Sequence, residues 1–397
     1  MQSRPKLIIH LDINGTIMPA DPIKSKHVES MLNIHLSKQA FVKEFDGDYV
    51  WWNGSPFHKG DHPPLLPQMR YTCHIRDHYD EDPSEICCHI SPGNLPSGPI
   101  SIQDYRDAVS SGEGCDDFTR ADFPGSAYLS ELEKLLTSLE WKFAGVDPEG
   151  ELEKVFTLPG LDGKRMSLFV PSFLSFLAWL HEDSGREYVL IVRTFGADIP
   201  RLWPAFLALS KGLHPYLPKP GCVAPPSLFG SLVQTDAVSR EYRLDVSGRR
   251  AESGEGLEYS ILGNLKILDF LEALPNRSIL MVNDDYELWR SHGFDPVFGK
   301  PVFFDPDRID RVHHFLFDDN VNLNPRDSIA CVWLRSPGSS RFVPQPISSA
   351  AGLATVGTIL LQANLYNSIL NPNAFIDELL RAENRYSTLL ARIANSI

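Results

Sequence analysis

The stretch His10-Leu-Asp-Ile-Asn-Gly-Thr-Ile17 decides the fold of this chain. It follows an apolar run, Leu7 to Ile9, which predicts a buried strand that ends at Asp12. Ligands of open α/β sheets bind in the crevice beyond the carboxyl ends of the strands, and Gly15 allows the chain to turn sharply there. Asp12 is therefore a candidate nucleophile or metal ligand.

The segment Asp12-Ile-Asn-Gly-Thr16 resembles the first motif of the haloacid dehalogenase (HAD) superfamily, Asp-x-Asp-Gly-Thr after a hydrophobic strand. This resemblance implies a HAD-like doubly wound α/β fold and magnesium-dependent phosphohydrolase or phosphotransferase activity through an aspartyl-phosphate on Asp12. Asn14 departs from the motif, because the phosphatases carry there a second aspartate that protonates the leaving group. An amide neither gives up nor takes a proton near neutral pH. We expect either weak activity or a catalytically degenerate module that binds a phosphorylated ligand or protein partner.

Composition and charge limit the class of protein. The chain has 397 residues, of which 43% are hydrophobic and 22% charged, as is typical of a globular protein. A net charge of -14 argues against nucleic-acid and anionic-membrane partners, because both are negatively charged. The sequence shows no signal peptide and no uninterrupted apolar run of about 18 residues. We therefore expect a cytoplasmic protein with reduced cysteines. The resemblance implies that its partner is a small phosphorylated substrate or a phosphoprotein.

Short apolar runs alternate with amphipathic segments, which predicts a parallel α/β sheet. We take 279–282 as the third core strand, 315–317 as the fourth, beside the first, and 329–334 as the fifth. The second strand is predicted at 188–192. Helices are predicted over 25–45, 127–141, 169–182, 200–212 and 260–274.

The pattern divides the chain into four parts. Residues 1–18 and 166–340 are assigned to the HAD-like core, 19–165 to a large cap-like insertion after the first strand, and 341–397 to a C-terminal helical segment. Residues 215–257 are interpreted as a second small insertion. In the cap, aromatic and acidic residues either line a substrate pocket or, as we prefer, form a small core of their own: Tyr49, Trp51, Trp52, Phe57 and His58, with Asp46, Asp48 and Asp61.

A zinc site in the same insertion is disfavoured. Its candidate ligands match no common spacing except that of one histidine pair, four residues apart. The candidates are Cys73, His74, His78, Cys87, Cys88 and His89.

Thr194 ends the second predicted strand, in Arg193-Thr-Phe-Gly196. By the resemblance, a hydroxyl at this place hydrogen-bonds the phosphoryl group, whereas the plainer alternative is a helix cap. Arg193 either binds a phosphate through two hydrogen bonds or forms an ion pair, and strand alternation points it away from Thr194. The predicted substrate-binding residues are Gly15, Thr16, Arg193, Phe195 and Gly196.

The resemblance also implies a lysine and an acid pair that binds magnesium, and two sets have the same spacing. Lys300 precedes Asp318 by 18 positions (318 − 300), and Lys266 precedes Asp284 by 18 (284 − 266). Sequence context favours Lys300 as the site lysine. Lys300 lies in a turn-like Gly-Lys-Pro with access to a site, whereas Lys266 falls in an amphipathic helix and is expected to face solvent.

The predicted catalytic residues are therefore Asp12, Asn14, Thr194 and Lys300. The predicted Mg²⁺ ligands are Asp12, the backbone carbonyl of Asn14, Asp318 and Asp319, with Asp284 and Asp285 as the alternative acid pair. Two aromatic residues after Asp285, Tyr286 and Trp289, have helical spacing and are expected to pack rather than to bind.

Overall fold

The structure is a computed structural model, and it describes most of the chain outside the middle of the predicted cap. The described residues are 4–22, 25–37, 41–45, 48–51, 100–101, 116–121, 126, 128–143, 150–182, 186–236, 240–249, 256–321, 328–336 and 338–394. The zinc candidates lie outside these ranges, as do Asp46, Trp52, Phe57, His58 and Asp61 of the aromatic and acidic set.

Sixteen strands and ten helices are found in the described residues. The strands are β1 (Lys6–Asp12), β2 (Phe41–Phe45), β3 (Asp48–Trp51), β4 (Ile100–Ser101), β5 (Thr157–Pro159), β6 (Arg165–Ser167), β7 (Tyr188–Thr194), β8 (Leu228–Asp236), β9 (Glu241–Arg249), β10 (Gly256–Leu262), β11 (Ile279–Asp284), β12 (Lys300–Phe304), β13 (Val312–Asp318), β14 (Ala330–Arg335), β15 (Phe342–Gln345) and β16 (Leu360–Gln362). The helices are α1 (Val28–Ser37), α2 (Leu129–Leu139), α3 (Glu151–Phe156), α4 (Pro171–Glu182), α5 (Ile199–Ser210), α6 (Asn264–Ala273), α7 (Tyr286–Ser291), α8 (Ala350–Thr355), α9 (Leu365–Leu370) and α10 (Ala374–Ala394).

An eight-stranded, mostly parallel sheet forms the centre of this α/β protein, in the order β10-β9-β8-β11-β7-β1-β13-β16. β1 pairs in parallel with β7 on one side and β13 on the other, so the predicted fourth strand does lie beside the first. The chain continues from β1 to β7 on one side and later crosses from β11 to β13 on the other side, so a topological switch point lies between β1 and β13. Ligands of open α/β sheets bind at such a point.

Both faces of the sheet are covered, as in other parallel sheets. Along β1, Leu7 and Ile9 belong to one buried apolar cluster and Ile8 to a second. The first cluster also takes in Leu32 of α1 and Leu135 of α2, which belong to the predicted cap. These two helices therefore share a core with the central sheet.

Two predicted assignments in the sheet are corrected by the pairing. Residues 329–334 form β14, which pairs with β12 and β15 in a separate three-stranded sheet and is not the fifth core strand. The place beside β13 is taken by β16, which is only three residues long. The predicted second insertion supplies β8, β9 and the first two residues of β10, and this meander extends the central sheet beyond β11.

Two predicted helical segments also contain strands. The helix expected over 25–45 ends at Ser37, and the alternating Phe41–Phe45 instead pairs with β3 and β4. The C-terminal segment 341–397 includes β15 and β16 as well as three helices, so it is not purely helical. Among the described helices, none is both long enough and apolar enough to cross a membrane.

Candidate functional site

Asp12 and Asp318 end two adjacent parallel strands, and this pairing brings them together. β1 and β13 run in register from Lys6 opposite Val312 to Leu11 opposite Phe317, so their next residues are Asp12 and Asp318. Each acid follows an apolar run that is buried in the sheet. The sequence therefore places two carboxylates side by side at the carboxyl edge, at the switch point.

Lys300 reaches this pair from the second sheet. Its ammonium donates a hydrogen bond to Asp12 Oδ1 and another, 2.7 Å long, to Asp318 Oδ2, and only 1% of its side chain is exposed. The sequence context predicted a turn at Lys300, but in the structure this residue is the first of strand β12. The preceding Gly299 is needed for this approach, because a Cβ there would lie 2.0 Å from the Ile329 carbonyl oxygen.

Asp319 completes an acidic triad with Asp12 and Asp318. One carboxylate oxygen of each residue lies within 4.8 Å of those of the other two, and all three residues are buried. Three carboxylates and one ammonium leave a formal charge of −2, and hard divalent cations prefer oxygen ligands of this kind. The donor set therefore fits a divalent cation.

The charges of the triad act strongly on one another. Burial raises the pKa of the Asp12 carboxyl well above its usual range, the Lys300 ammonium opposes that rise, and the charges of Asp318 and Asp319 add to it. Burial by itself would lower the pKa of Lys300, but Asp12 and Asp318 raise it above the usual value. Lys300 is therefore a permanent cation, and ionisation of Asp12 depends on the positive charge around it.

The turn after β1 is shaped by Gly15 and Thr16. Gly15 has a φ of +77°, and a Cβ on it would lie 3.0 Å from the Asp319 carboxylate and 3.1 Å from His35 Nε2. The Thr16 hydroxyl donates to Asp12 Oδ2 over 3.3 Å and accepts from the Asp319 backbone N–H over 3.0 Å. Thr16 thus links Asp12 to Asp319, and Gly15 leaves room for the Asp319 carboxylate.

His35 and Asp198 contact the predicted site, although sequence reasoning did not select them. His35 of α1 places Nε2 3.6 Å from Asp319 Oδ2. Asp198 precedes α5, is 3% exposed, and accepts hydrogen bonds of 3.0 Å from both Asn14 Nδ2 and the Thr194 hydroxyl. The signal for Asp198 was its distance of four residues from Thr194, in the loop that follows the second core strand.

Asn14 and Thr194 therefore share one buried acceptor. The Asn14 amide points its nitrogen at Asp198, while its Oδ1 is buried without a hydrogen-bond partner among the described residues. The Thr194 hydroxyl also accepts from the Gly196 backbone N–H over 2.9 Å, which is a local turn contact. Of the predicted catalytic residues, Asp12 and Lys300 touch directly, and Asn14 and Thr194 form a second group through Asp198.

Arg193 has a different role from the predicted contact with substrate phosphate. Its guanidinium donates two hydrogen bonds to the carboxylate of Asp284 on the neighbouring strand β11, one of them 3.0 Å long, and a third of 2.7 Å to the Pro301 carbonyl. Side-chain alternation does point it away from Thr194. The result is a buried ion pair that ties β7, β11 and β12 together.

The alternative acid pair is used elsewhere in the structure. Asp284 is committed to Arg193, and Asp285 is the N-cap of α7, where its side chain accepts from the Leu288 backbone N–H over 2.9 Å. Lys266 is exposed on α6, as expected. The structure thus brings Lys300 and the Asp318 pair to Asp12, and it gives Asp284 and Asp285 structural contacts.

Phe195 lies beside Lys300. The ammonium is 5.5 Å from the centroid of its ring, and the ring stacks on Trp289 with centroids 4.9 Å apart and planes 4° apart. Tyr286 packs edge-on against Phe195 at 6.1 Å. Tyr286 and Trp289 therefore do pack, as expected, and they pack next to the site.

Comparison with protein-family models, curated proteins and solved structures gave no match for this chain. Any functional conclusion therefore depends on the residues and their geometry.

Proposed function

We propose that this chain is a HAD-like, magnesium-dependent phosphohydrolase or phosphotransferase that forms an aspartyl-phosphate on Asp12. One observation carries the proposal: Asp12, Lys300, Asp318 and Asp319 meet in a buried cluster at the topological switch point of a mostly parallel sheet. A purely structural cluster has no need of three adjacent carboxylates, because burying them with a single cation is costly.

Asp12 is the nucleophile in this proposal. A carboxylate oxygen of Asp12 forms a bond to phosphorus, the bond from phosphorus to the leaving oxygen breaks, and its electron pair stays on that oxygen. Water then attacks the aspartyl-phosphate, its proton is released to solvent, and the electron pair of the broken P–O bond returns to Asp12. In phosphotransfer, an acceptor hydroxyl takes the place of water.

Lys300 and Thr16 prepare Asp12 for attack. Lys300 holds Asp12 and Asp318 with one ammonium and supplies positive charge where the phosphoryl oxygens would lie. Thr16 fixes the second oxygen of Asp12. A divalent cation on the triad would supply further positive charge, and Asp12, Asp318 and Asp319 would hold it.

The test is hydrolysis of 4-nitrophenyl phosphate by the full chain with magnesium. We expect Asp12→Asn to bring the rate to background, and Lys300→Met to lower it by roughly 100- to 1,000-fold, the usual cost of one electrostatic contact to the transition state. Lys266→Met is the matched control, because it removes the other lysine with the same spacing from an exposed helix position, and its rate should equal that of the wild type.

Calorimetry tests the cation separately from turnover. Mg²⁺ should bind the wild type at millimolar concentration or below and should bind Asp318→Asn much more weakly, whereas Asp285→Asn, a cap variant outside the triad, should bind it normally. Hydrolysis that survives Asp12→Asn would exclude Asp12 as the nucleophile. Failure of Mg²⁺ to bind the wild type at millimolar concentration would exclude the proposed ligand set.

Asn14 favours a second function, in which the same site binds a phosphorylated ligand or a phosphoprotein with little or no turnover. Loss of an acid or base typically lowers a rate by about 100- to 10,000-fold. This function predicts that the wild type binds beryllofluoride or phosphate with magnesium but releases no 4-nitrophenol. It also predicts that the double variant Asn14→Asp with Asp198→Asn gains activity, because a carboxyl then stands at position 14 without a second one beside it.

A further inference from the structure

Four aromatic side chains form a continuous surface that starts at the proposed phosphoryl site; we call it the aromatic wall. It consists of Phe195, Tyr286, Trp289 and Phe294. Trp289 stacks on Phe195 at 4.9 Å, and Phe294 packs edge-on against Trp289 at 5.0 Å. Tyr286 lies 6.1 Å from Phe195 and 6.3 Å from Trp289.

The aromatic wall is connected to the reacting groups through Phe195. This residue directly follows Thr194, and its ring centroid is 5.5 Å from the ammonium of Lys300, which in turn contacts Asp12. A phosphate held at Lys300 would therefore have its ester group within reach of this surface.

Parts of the aromatic wall remain exposed. Tyr286 is 40% and Phe294 42% exposed, although both are large apolar residues that ordinarily gain from burial. The basic residue of α7, Arg290, is paired with Glu287 one turn earlier. The exposed part of the aromatic wall is therefore apolar, and the cation beside it on α7 is already paired.

Asn14 independently indicates the same class of substrate. Its amide cannot protonate a leaving oxygen, so the site depends on a leaving group that departs as an anion. A phenol, like the tyrosine side chain, has a pKa of about 10, well below that of an aliphatic alcohol. An aryl phosphate thus needs acid assistance least.

We infer that the substrate is an aryl phosphate monoester whose ring packs against the aromatic wall, an inference that rests on the proposed function. In the first step the phosphorus–oxygen bond to the aryl group breaks, the electron pair stays on the aryl oxygen, and the phenolate takes its proton from water. Asp12 forms the new bond to phosphorus. Specificity comes from Phe195 and Tyr286, and the phosphoryl end is held by Lys300.

The experiment is calorimetry of the full chain with magnesium, with two stable phosphonates as probes. Benzylphosphonate carries an aromatic ring, and cyclohexylmethylphosphonate has a similar size and charge without a π-face. We expect benzylphosphonate to bind about two- to tenfold more tightly, as for other aromatic pairs. The preference should disappear in Tyr286→Ala, and it should persist in Tyr259→Ala, which removes an aromatic residue of similar exposure from β10.

The outcomes separate this inference from the proposed function. Equal affinity for the two phosphonates, or no binding of either, overturns the aryl specificity even if 4-nitrophenyl phosphate is hydrolysed. A preference that Tyr286→Ala retains also overturns it. A preference that Tyr286→Ala removes, in a protein whose wild type shows no turnover, supports the aryl site and contradicts the hydrolase.

Discussion

Replacing Asn14 with Asp would complete the resemblance to the motif Asp-x-Asp-Gly-Thr, but we expect the change to destabilise this protein. The Asn14 amide donates a 3.0 Å hydrogen bond to Asp198, which is buried. Asn14→Asp removes that donor and sets two carboxylates at this distance. The resemblance alone would predict a gain of function from this change, and the contact with Asp198 predicts the opposite.

The cost can be worked out from this distance. Two unit charges 3.0 Å apart repel by about 5 kcal/mol at an effective dielectric constant of 20, which is an upper limit because one carboxyl can take up a proton. The lost hydrogen bond to a charged group adds roughly 1.5 to 3 kcal/mol. We expect a net loss of about 2 to 4 kcal/mol in the free energy of unfolding at pH 8.

The pH dependence has a definite sign. In the variant the native pair holds a proton that the unfolded chain releases, so the stability of Asn14→Asp relative to wild type should fall as pH rises from 5 to 8. Urea unfolding at both pH values measures it. The rate of 4-nitrophenyl phosphate hydrolysis should not increase.

A double-mutant cycle provides the control. Asp198→Asn keeps an acceptor for Asn14 and should cost little, and Asn14→Asp with Asp198→Asn exchanges the amide and the carboxylate. The double variant should recover about 2 kcal/mol relative to Asn14→Asp. If Asn14→Asp is as stable as wild type at pH 8, or if the two positions show no coupling energy, the assigned contact is wrong.

Three further predictions follow from burial and backbone geometry. Lys300→Met should lower the free energy of unfolding by about 3 kcal/mol at pH 7 in the absence of metal, because the triad loses its cation, and a loss below 1 kcal/mol would contradict the buried pair. Gly15→Ala should cost about 1 kcal/mol more than Gly163→Ala by urea unfolding, because both have φ near +76° but only Gly15 is tightly packed; equal costs would contradict this packing. Burial lowers the pKa values of His10 and His314, so stability should fall below pH 6.5, where the unfolded histidines take up protons. His10→Gln should reduce that slope by up to about 1.4 kcal/mol per pH unit, and an unchanged slope would exclude His10 as a cause.

The sequence predicted the positions of the strands that consist mainly of apolar residues. It did not predict which sheet each strand belongs to, because that depends on strand pairing. β1, β7, β11 and β13 are mainly apolar, and each ends in polar residues at the carboxyl edge. β14 has the same composition, but its partner is β12 in the other sheet. The local composition of a segment indicates that it forms a buried strand, but it does not indicate which strand that segment pairs with.

The site was predictable to a similar extent. Asp12, Lys300 and Asp318 were selected by the resemblance and by sequence context, because spacing did not distinguish them from the alternative set, and the structure brings them into contact. Asp198 was missed because a single loop aspartate is most often a solvated turn residue. An ion pair was one of the two interpretations of Arg193, but the sequence could not identify its partner, because Asp284 lies on a neighbouring strand and is 91 residues away in the sequence.

The origin of Lys300 in the second sheet affects how the protein folds. The central sheet alone would bring Asp12 and Asp318 together without the Lys300 ammonium between them. This ammonium reaches the two carboxylates only when β12 packs against the central sheet. An assembly intermediate without the small sheet would therefore carry mutually repelling acids at its edge. The contacts of Lys300 with Asp12 and Asp318 therefore join the two sheets electrostatically, and we expect a divalent cation bound to the triad to slow their separation.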